Sequence, residues 1–151
     1  MTEKIVYLDS SAIIKRYVNE SGTEIIRALY HDAYLGNVLL AFSLWNIGEI
    51  LGVVDKAHRQ QRISKEQLKE VLDRFSDETT RLRKIDRLKI IPLSERVIEN
   101  SWDFITKQHL YVADALQIAS ALQLECSEFL TGDRMLHSVA LSIGFSSRYI
   151  G

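Results

Sequence analysis

The chain has 151 residues, 46% of them hydrophobic and 26% charged, with 7 Gly, 1 Pro and a formal net charge of −1. That is the balance of an ordinary globular chain, long enough to bury a core without metal or disulfide; it excludes collagen-like and low-complexity classes. One cysteine, Cys126, excludes a disulfide framework and a cysteine-based zinc site, and the near-neutral charge excludes gripping nucleic acid by bulk positive potential.

Residues 5–8 are an apolar run ahead of the polar step Asp9-Ser10-Ser11, the pattern of a buried strand feeding a helix. That helix is expected to carry Ala12, Ile13, Ile14, Tyr17 and Val18, to break near residues 19–22, and to be followed by a helix over about 23–31. Gly36-Asn37 reads as a turn, 38–42 as a short buried strand, and Ser43 as the cap of a helix over about 44–58. Residues 34–54 carry a single charge and approach the length of a membrane span. Gly36, Asn37, Ser43, Asn46, Gly48 and Gly52 favour strand plus helix instead.

Ser64 and Gln67 have the spacing of a capping box, and Leu68, Val71, Leu72, Phe75, Leu82 and Ile85 follow at helical intervals. Residues 88–91 read as a strand closed by Pro92. Ser94 then caps a helix whose apolar stripe is Val97, Ile98, Ser101, Trp102 and Ile105. A helix over about 112–124, a strand at 128–131, a short helix opened by Asp133 and a strand within 146–150 complete the series. Strands alternating with helices predict an α/β fold, with a mostly parallel central sheet and helices on both faces. Without linker or repeat, residues 1–151 read as a single domain. No secretory signal opens the chain, so the expected compartment is cytoplasmic.

The chemistry lies in isolated acids. Asp9 is the only charge between Lys4 and Lys15, Glu49 the only one between Asp32 and Asp55, and Asp114 the only formal one between Lys107 and Glu125. A carboxylate in an apolar segment is costly unless paired, hydrogen-bonded or bound to a cation. Asp9 follows the first strand and Asp133 the strand ending at 131, while Glu49 and Asp114 lie early in helices. All four are expected at the edge of the sheet where open parallel sheets form their sites. Any one acid could merely start or cap a helix; four together, without imidazole or thiolate, suit Mg²⁺ or Mn²⁺. No P-loop and no His-Glu-x-x-His helix is present.

Four segments resemble the PIN-domain nucleases, and among them the VapC-type toxins of toxin–antitoxin pairs. They are Tyr7-Leu8-Asp9-Ser10-Ser11-Ala12, the stretch 43–49 bringing Glu49, Asp114-Ala115-Leu116-Gln117-Ile118-Ala119, and Thr131-Gly132-Asp133-Arg134. The resemblance implies a three-layer PIN-like fold and a metal-dependent endoribonuclease. Asp9, Glu49, Asp114 and Asp133 would hold one or two Mg²⁺ or Mn²⁺ ions, with Ser11 and Thr131 as supporting hydroxyls. It also implies an RNA substrate, a homodimer and a small VapB-type antitoxin. An RNA-processing PIN nuclease without antitoxin, or a non-catalytic PIN-like binding domain, is the alternative.

Arg81, Arg83, Lys84, Arg87 and Lys89 form the densest basic stretch. If helical, Arg81, Lys84 and Arg87 would share a face, either as a helix end that prefers cations or as an RNA-backbone contact. Residues 58–65 offer a second basic candidate. The helix from 44 is apolar on nearly all sides, as expected for a deep core helix or an interface.

Overall fold

A computed structural model describes residues 2–151 of the chain. Five strands, β1 (Ile5–Leu8), β2 (Leu39–Ser43), β3 (Leu88–Ile91), β4 (Glu128–Thr131) and β5 (Ser147–Tyr149), form one sheet in the order β3-β2-β1-β4-β5. Every neighbouring pair is parallel. The helices are α1 (Ser10–Ile13, continued by a 3-10 turn, Ile14–Arg16), α2 (Thr23–Tyr34), α3 (Leu44–Arg59), α4 (Lys65–Lys84), α5 (Glu95–Gln108), α6 (Val112–Gln123) and α7 (Arg134–Ser142).

Strand alternation splits the core into two layers. Val6, Leu8, Leu40 and Phe42 point to one face and pack against Ile13, Ile26, Ile50, Phe75 and Leu82 of α1–α4. Tyr7, Ala41 and Phe129 point to the other and meet Val97, Leu116, Ile118 and Leu136 of α5–α7. The result is a three-layer α/β/α sandwich with an all-parallel sheet. Each fully buried Leu, Ile or Phe contributes about 1.5–3 kcal/mol, so both faces are needed to hold the short strands. Cys126 sits in the second cluster, and burial pushes its thiol up to about 12, as befits an inert apolar filler.

Helix starts follow local chemistry. Ser43 and Ser64 each cap a helix through a reciprocal capping box, with Asn46 and Gln67 as the returning side chains. Ser94 caps α5 alone.

Several sequence expectations are corrected. The first helix stops at Arg16, leaving Val18 exposed, while α2 runs on to Tyr34, whose hydroxyl finds a buried partner in Glu78. In α5 the buried arc is Val97 and Ser101 with Phe104 and Ile105 beside them; Ile98 and Trp102, one position round the helix, are 39% and 58% exposed. Ile85 lies past the last turn of α4 and is exposed. Among the described residues no helix is long and apolar enough to cross a membrane.

The basic stretch is also rearranged. Helix α4 ends at Lys84 and Asp86 takes a left-handed conformation (φ 57°), so Arg87 leaves the face of Arg81 and Lys84. Its guanidinium instead pairs with Glu3 at 2.7 Å. Arg81, Arg83, Lys84 and Arg87 all lie where the chain enters β3, the rim from which the parallel strands start.

Candidate metal centre

Parallel strands end on one common rim, and the chain places its isolated acids there. Asp9 follows β1 directly as the N-cap of α1. Its Oδ1 accepts the Ala12 N–H at 2.9 Å and the Ser11 hydroxyl at 2.6 Å, and its Oδ2 accepts the Thr131 hydroxyl. The Ser11 oxygen in turn accepts the Gly132 N–H at 2.7 Å, and the Thr131 oxygen the Asp133 N–H at 2.9 Å. The two hydroxyls thus stitch the end of β1 to the end of β4 around one buried carboxylate.

Asp133 caps α7, its Oδ1 accepting the Leu136 N–H at 2.9 Å. Glu49, in the second turn of α3, uses Oε1 for two donors, the Ser10 hydroxyl at 2.7 Å and the Gln117 amide at 3.0 Å. Asp114, in the first turn of α6, is half-buried and has neither a hydrogen bond nor an ion pair from its side chain among the described residues. The second oxygens of Glu49 and Asp133 are free in the same sense. None of the ion pairs among the described residues involves any of the four acids.

Electrostatics ties the four together. Burial pushes Asp9 up to about 6 despite its three hydrogen bonds, and the charge of Asp114 adds to the rise. Asp114 is raised by burial first, then by the charges of Asp133 and Glu49. Asp114 therefore feels every other member of the quartet, and no Lys or Arg among the described residues pairs with it.

Among the described residues no three Asp, Glu, His or Cys side chains are already gathered into a metal-holding set. Glu49, Asp9 and Asp133 are each tethered by neutral donors. The donor set nonetheless fits a hard divalent cation. It offers carboxylate oxygens only and leaves several lone pairs unused; the nearby Lys15, whose stem runs beside Gly132, spends its ammonium on Glu20 and the Ser21 carbonyl.

Three side chains beneath the acids were not singled out from the sequence. Tyr7, Asn46 and Gln117 are all buried and mutually hydrogen-bonded. The signal existed: Asn46 stands three residues after the cap Ser43, and Gln117 interrupts the apolar α6 one turn after Asp114. Attention to formal charge alone passes over neutral amides. The basic residues Arg81, Arg83, Lys84 and Arg87 are not brought to the acids, being on the opposite rim.

An all-parallel three-layer sandwich with an acidic centre at its strand ends defines the class. The chain belongs to the PIN domain family, whose profile matches residues 6–141. It is similar in fold to the VapBC2 complex of Rickettsia felis bound to a DNA fragment from its promoter. That match has a TM-score of 0.64 at 18% identity, with 97% of this chain and 99% of the other covered. VapC20 of Mycobacterium tuberculosis, a sarcin-ricin-loop-cleaving toxin, gives a TM-score of 0.65 at 11% identity over 93% and 95% of the two chains. FitAcB of Neisseria gonorrhoeae gives 0.65 at 17% identity over 94% and 95%. No curated protein matches the chain by sequence.

Proposed function

We propose that this PIN domain is a Mg²⁺- or Mn²⁺-dependent endoribonuclease, the toxin of a VapBC-type pair acting in the cytoplasm as a single-domain protein. The observation that carries the reading is the quartet Asp9, Glu49, Asp114 and Asp133, electrostatically coupled and without a cationic side chain to neutralise it. These four residues would hold one or two ions. Bound there, the metal would supply an activated water and charge stabilisation at the phosphodiester.

The protein's own part is positioning. Ser11 and Thr131 keep Asp9 in one orientation, and Ser10 and Gln117 do the same for Glu49. Asp114, without a tether, is the acid with most to gain from a cation. An acidic pocket of this kind accepts a polyanion only when metal-loaded, which agrees with a net charge of −1. No basic patch adjoins it among the residues singled out from the sequence.

Fold similarity to VapBC and Fit toxin–antitoxin complexes supports an antitoxin partner. A homodimer is supported by α3, whose Leu44, Trp45, Leu51 and Val53 are exposed although Ile50 and Val54 are buried. The direct test is cleavage of a structured RNA by the purified protein. Scission is expected with Mn²⁺ and none with EDTA; scission that survives chelation, or none with any divalent ion, overturns the reading.

A further inference from the structure

Beneath the acids runs a chain of neutral hydrogen bonds whose direction is completely determined. It begins at the start of α3, where the Ser43 backbone N–H donates to Asn46 Oδ1 at 2.7 Å. That oxygen must therefore be the acceptor end of the amide, which leaves Nδ2 with two hydrogens to give. They go to Ser10 Oγ at 2.8 Å and to Gln117 Oε1 at 3.0 Å. Gln117 Oε1 also accepts the Tyr7 hydroxyl at 2.5 Å, and that hydroxyl lies 3.3 Å from Asn46 Oδ1.

With Oε1 of Gln117 occupied as an acceptor, its Nε2 has to face the other way, and it donates to Glu49 Oε1. Ser10, having accepted from Asn46, gives its only hydrogen to the same oxygen. Both branches therefore end on Glu49 Oε1 as donors, and neither supplies anything to Oε2.

Such a network is expensive as mere packing. Tyr7 and Asn46 are 0% exposed and Gln117 2%, between the sheet and α6. An apolar set of equal volume would fill that space at similar or better stability, because it leaves no polar group needing a partner. What an apolar set cannot do is fix which carboxylate oxygen of Glu49 stays open.

We infer that Asn46 and Gln117, braced by Tyr7, are positioning residues that occupy Oε1 of Glu49 and so present Oε2 to the cation. The inference rests on the proposed metal-dependent function and names what holds one of its four acids in place. Asn46 links β2, α1, α3 and α6 through one amide, so the placement is completed by folding, before any ion arrives.

The test is Mn²⁺ binding by titration calorimetry, with the Mn²⁺ dependence of RNA cleavage measured in parallel. Gln117→Met keeps the volume and removes the donor; it is expected to weaken Mn²⁺ binding about 10- to 100-fold, with a lower melting temperature because the Tyr7 hydroxyl and the Asn46 amide lose their acceptor. Ser10→Ala removes the other donor and is expected to act in the same direction, and it serves if Gln117→Met does not fold. Tyr7→Phe, one bond further back, is expected to cost a few-fold at most. Glu78→Gln, in a buried network on the other face of the sheet, should lower the melting temperature without moving the Mn²⁺ midpoint. Wild-type Mn²⁺ affinity in both Gln117→Met and Ser10→Ala, or an equal loss of Mn²⁺ affinity in the destabilised Glu78→Gln, overturns the positioning role. If the wild type itself neither binds Mn²⁺ nor cleaves RNA, the functional reading falls first and this role falls with it.

Discussion

Two buried carboxylate environments, one within the α1–α4 layer and one at the rim where the strands end, obey opposite rules. Glu78 of α4 is buried but answered: Arg16 reaches it through Nε at 2.8 Å and Nη2 at 2.9 Å, and the Tyr17 and Tyr34 hydroxyls donate at 3.0 Å. Burial alone would raise its pKa, but the Arg16 hydrogen bond and charge, with the two tyrosines, outweigh that and hold it below the usual range. Arg16 is itself braced, its guanidinium 4.9 Å from the centre of the Tyr30 ring. Asp9 is equally enclosed yet receives only neutral donors, and its neighbour Asp114 adds negative charge. A carboxylate with its own cation is a structural element; a group of carboxylates without one keeps its mutual repulsion, the feature on which the proposed metal site rests.

Four measurements sharpen or break that contrast. The largest effect is expected from Asp114→Asn and Asp9→Asn, each lowering Mn²⁺-dependent cleavage on the order of a thousandfold, the scale of the several kcal/mol a metal supplies. Both should stay folded, and metal-free Asp114→Asn should melt no lower than wild type, since it relieves repulsion. Full activity in both variants would remove these residues from the centre.

Glu78→Leu should do the reverse. Stranding Arg16 is expected to cost about 3 kcal/mol in denaturant-measured stability, the low end for a buried pair because Arg16 is partly solvated. The Mn²⁺ midpoint should not move; if it does, the two regions are coupled and the contrast fails.

The third test is pH. Asp9 binds its proton more tightly in the folded protein, with a pKa raised from 3.8 to about 6. Its contribution is therefore fully present below about 4 and is lost as the pH climbs through 6, up to about 3 kcal/mol at 1.36 kcal/mol per unit. Glu78, depressed from 4.5, has the opposite sign: its contribution is present above that value and is lost as the pH falls through the folded pKa. Metal-free unfolding should show stability lost between about pH 4 and 6 that saturating Mn²⁺ restores at pH 7, because the ion binds only the folded state. No restoration by Mn²⁺ would mean that the acids do not share an ion.

The smallest effects provide a baseline outside both regions. Ser64→Ala removes one half of the α4 capping box and should cost about 1 kcal/mol, while Trp102→Ser, on the exposed side of α5, should stay within about 0.5 kcal/mol. A large loss at Trp102 in the monomer would restore the buried stripe expected from periodicity.

Much of the fold is legible along the chain because it is written in short-range chemistry. The apolar runs at 5–8, 88–91 and 128–131 become strands, and the caps Ser43, Ser64, Ser94 and Asp133 start helices where the side chains demand it. Periodicity misplaces Ile98 and Trp102 because an apolar stripe on a helix does not say how wide an arc its neighbours cover. It misplaces Arg87 because a helix end and a left-handed Asp86 turn depend on where β3 must begin.

The isolation of Asp9, Glu49 and Asp114 among apolar residues was determined by the sequence alone, since burying an unpaired charge is costly in any fold. Whether those acids would find cations was not: Glu78, equally acidic and set among charged neighbours, is the one the tertiary structure pairs and buries. Only the parallel pairing and the strand order brought the ends of β1, β2 and β4 side by side on one rim, left the basic stretch on the other, and closed Tyr7, Asn46 and Gln117 into one network. Those outcomes join residues as far apart as Asp9 and Thr131, and no local preference in the chain encodes a meeting over that distance.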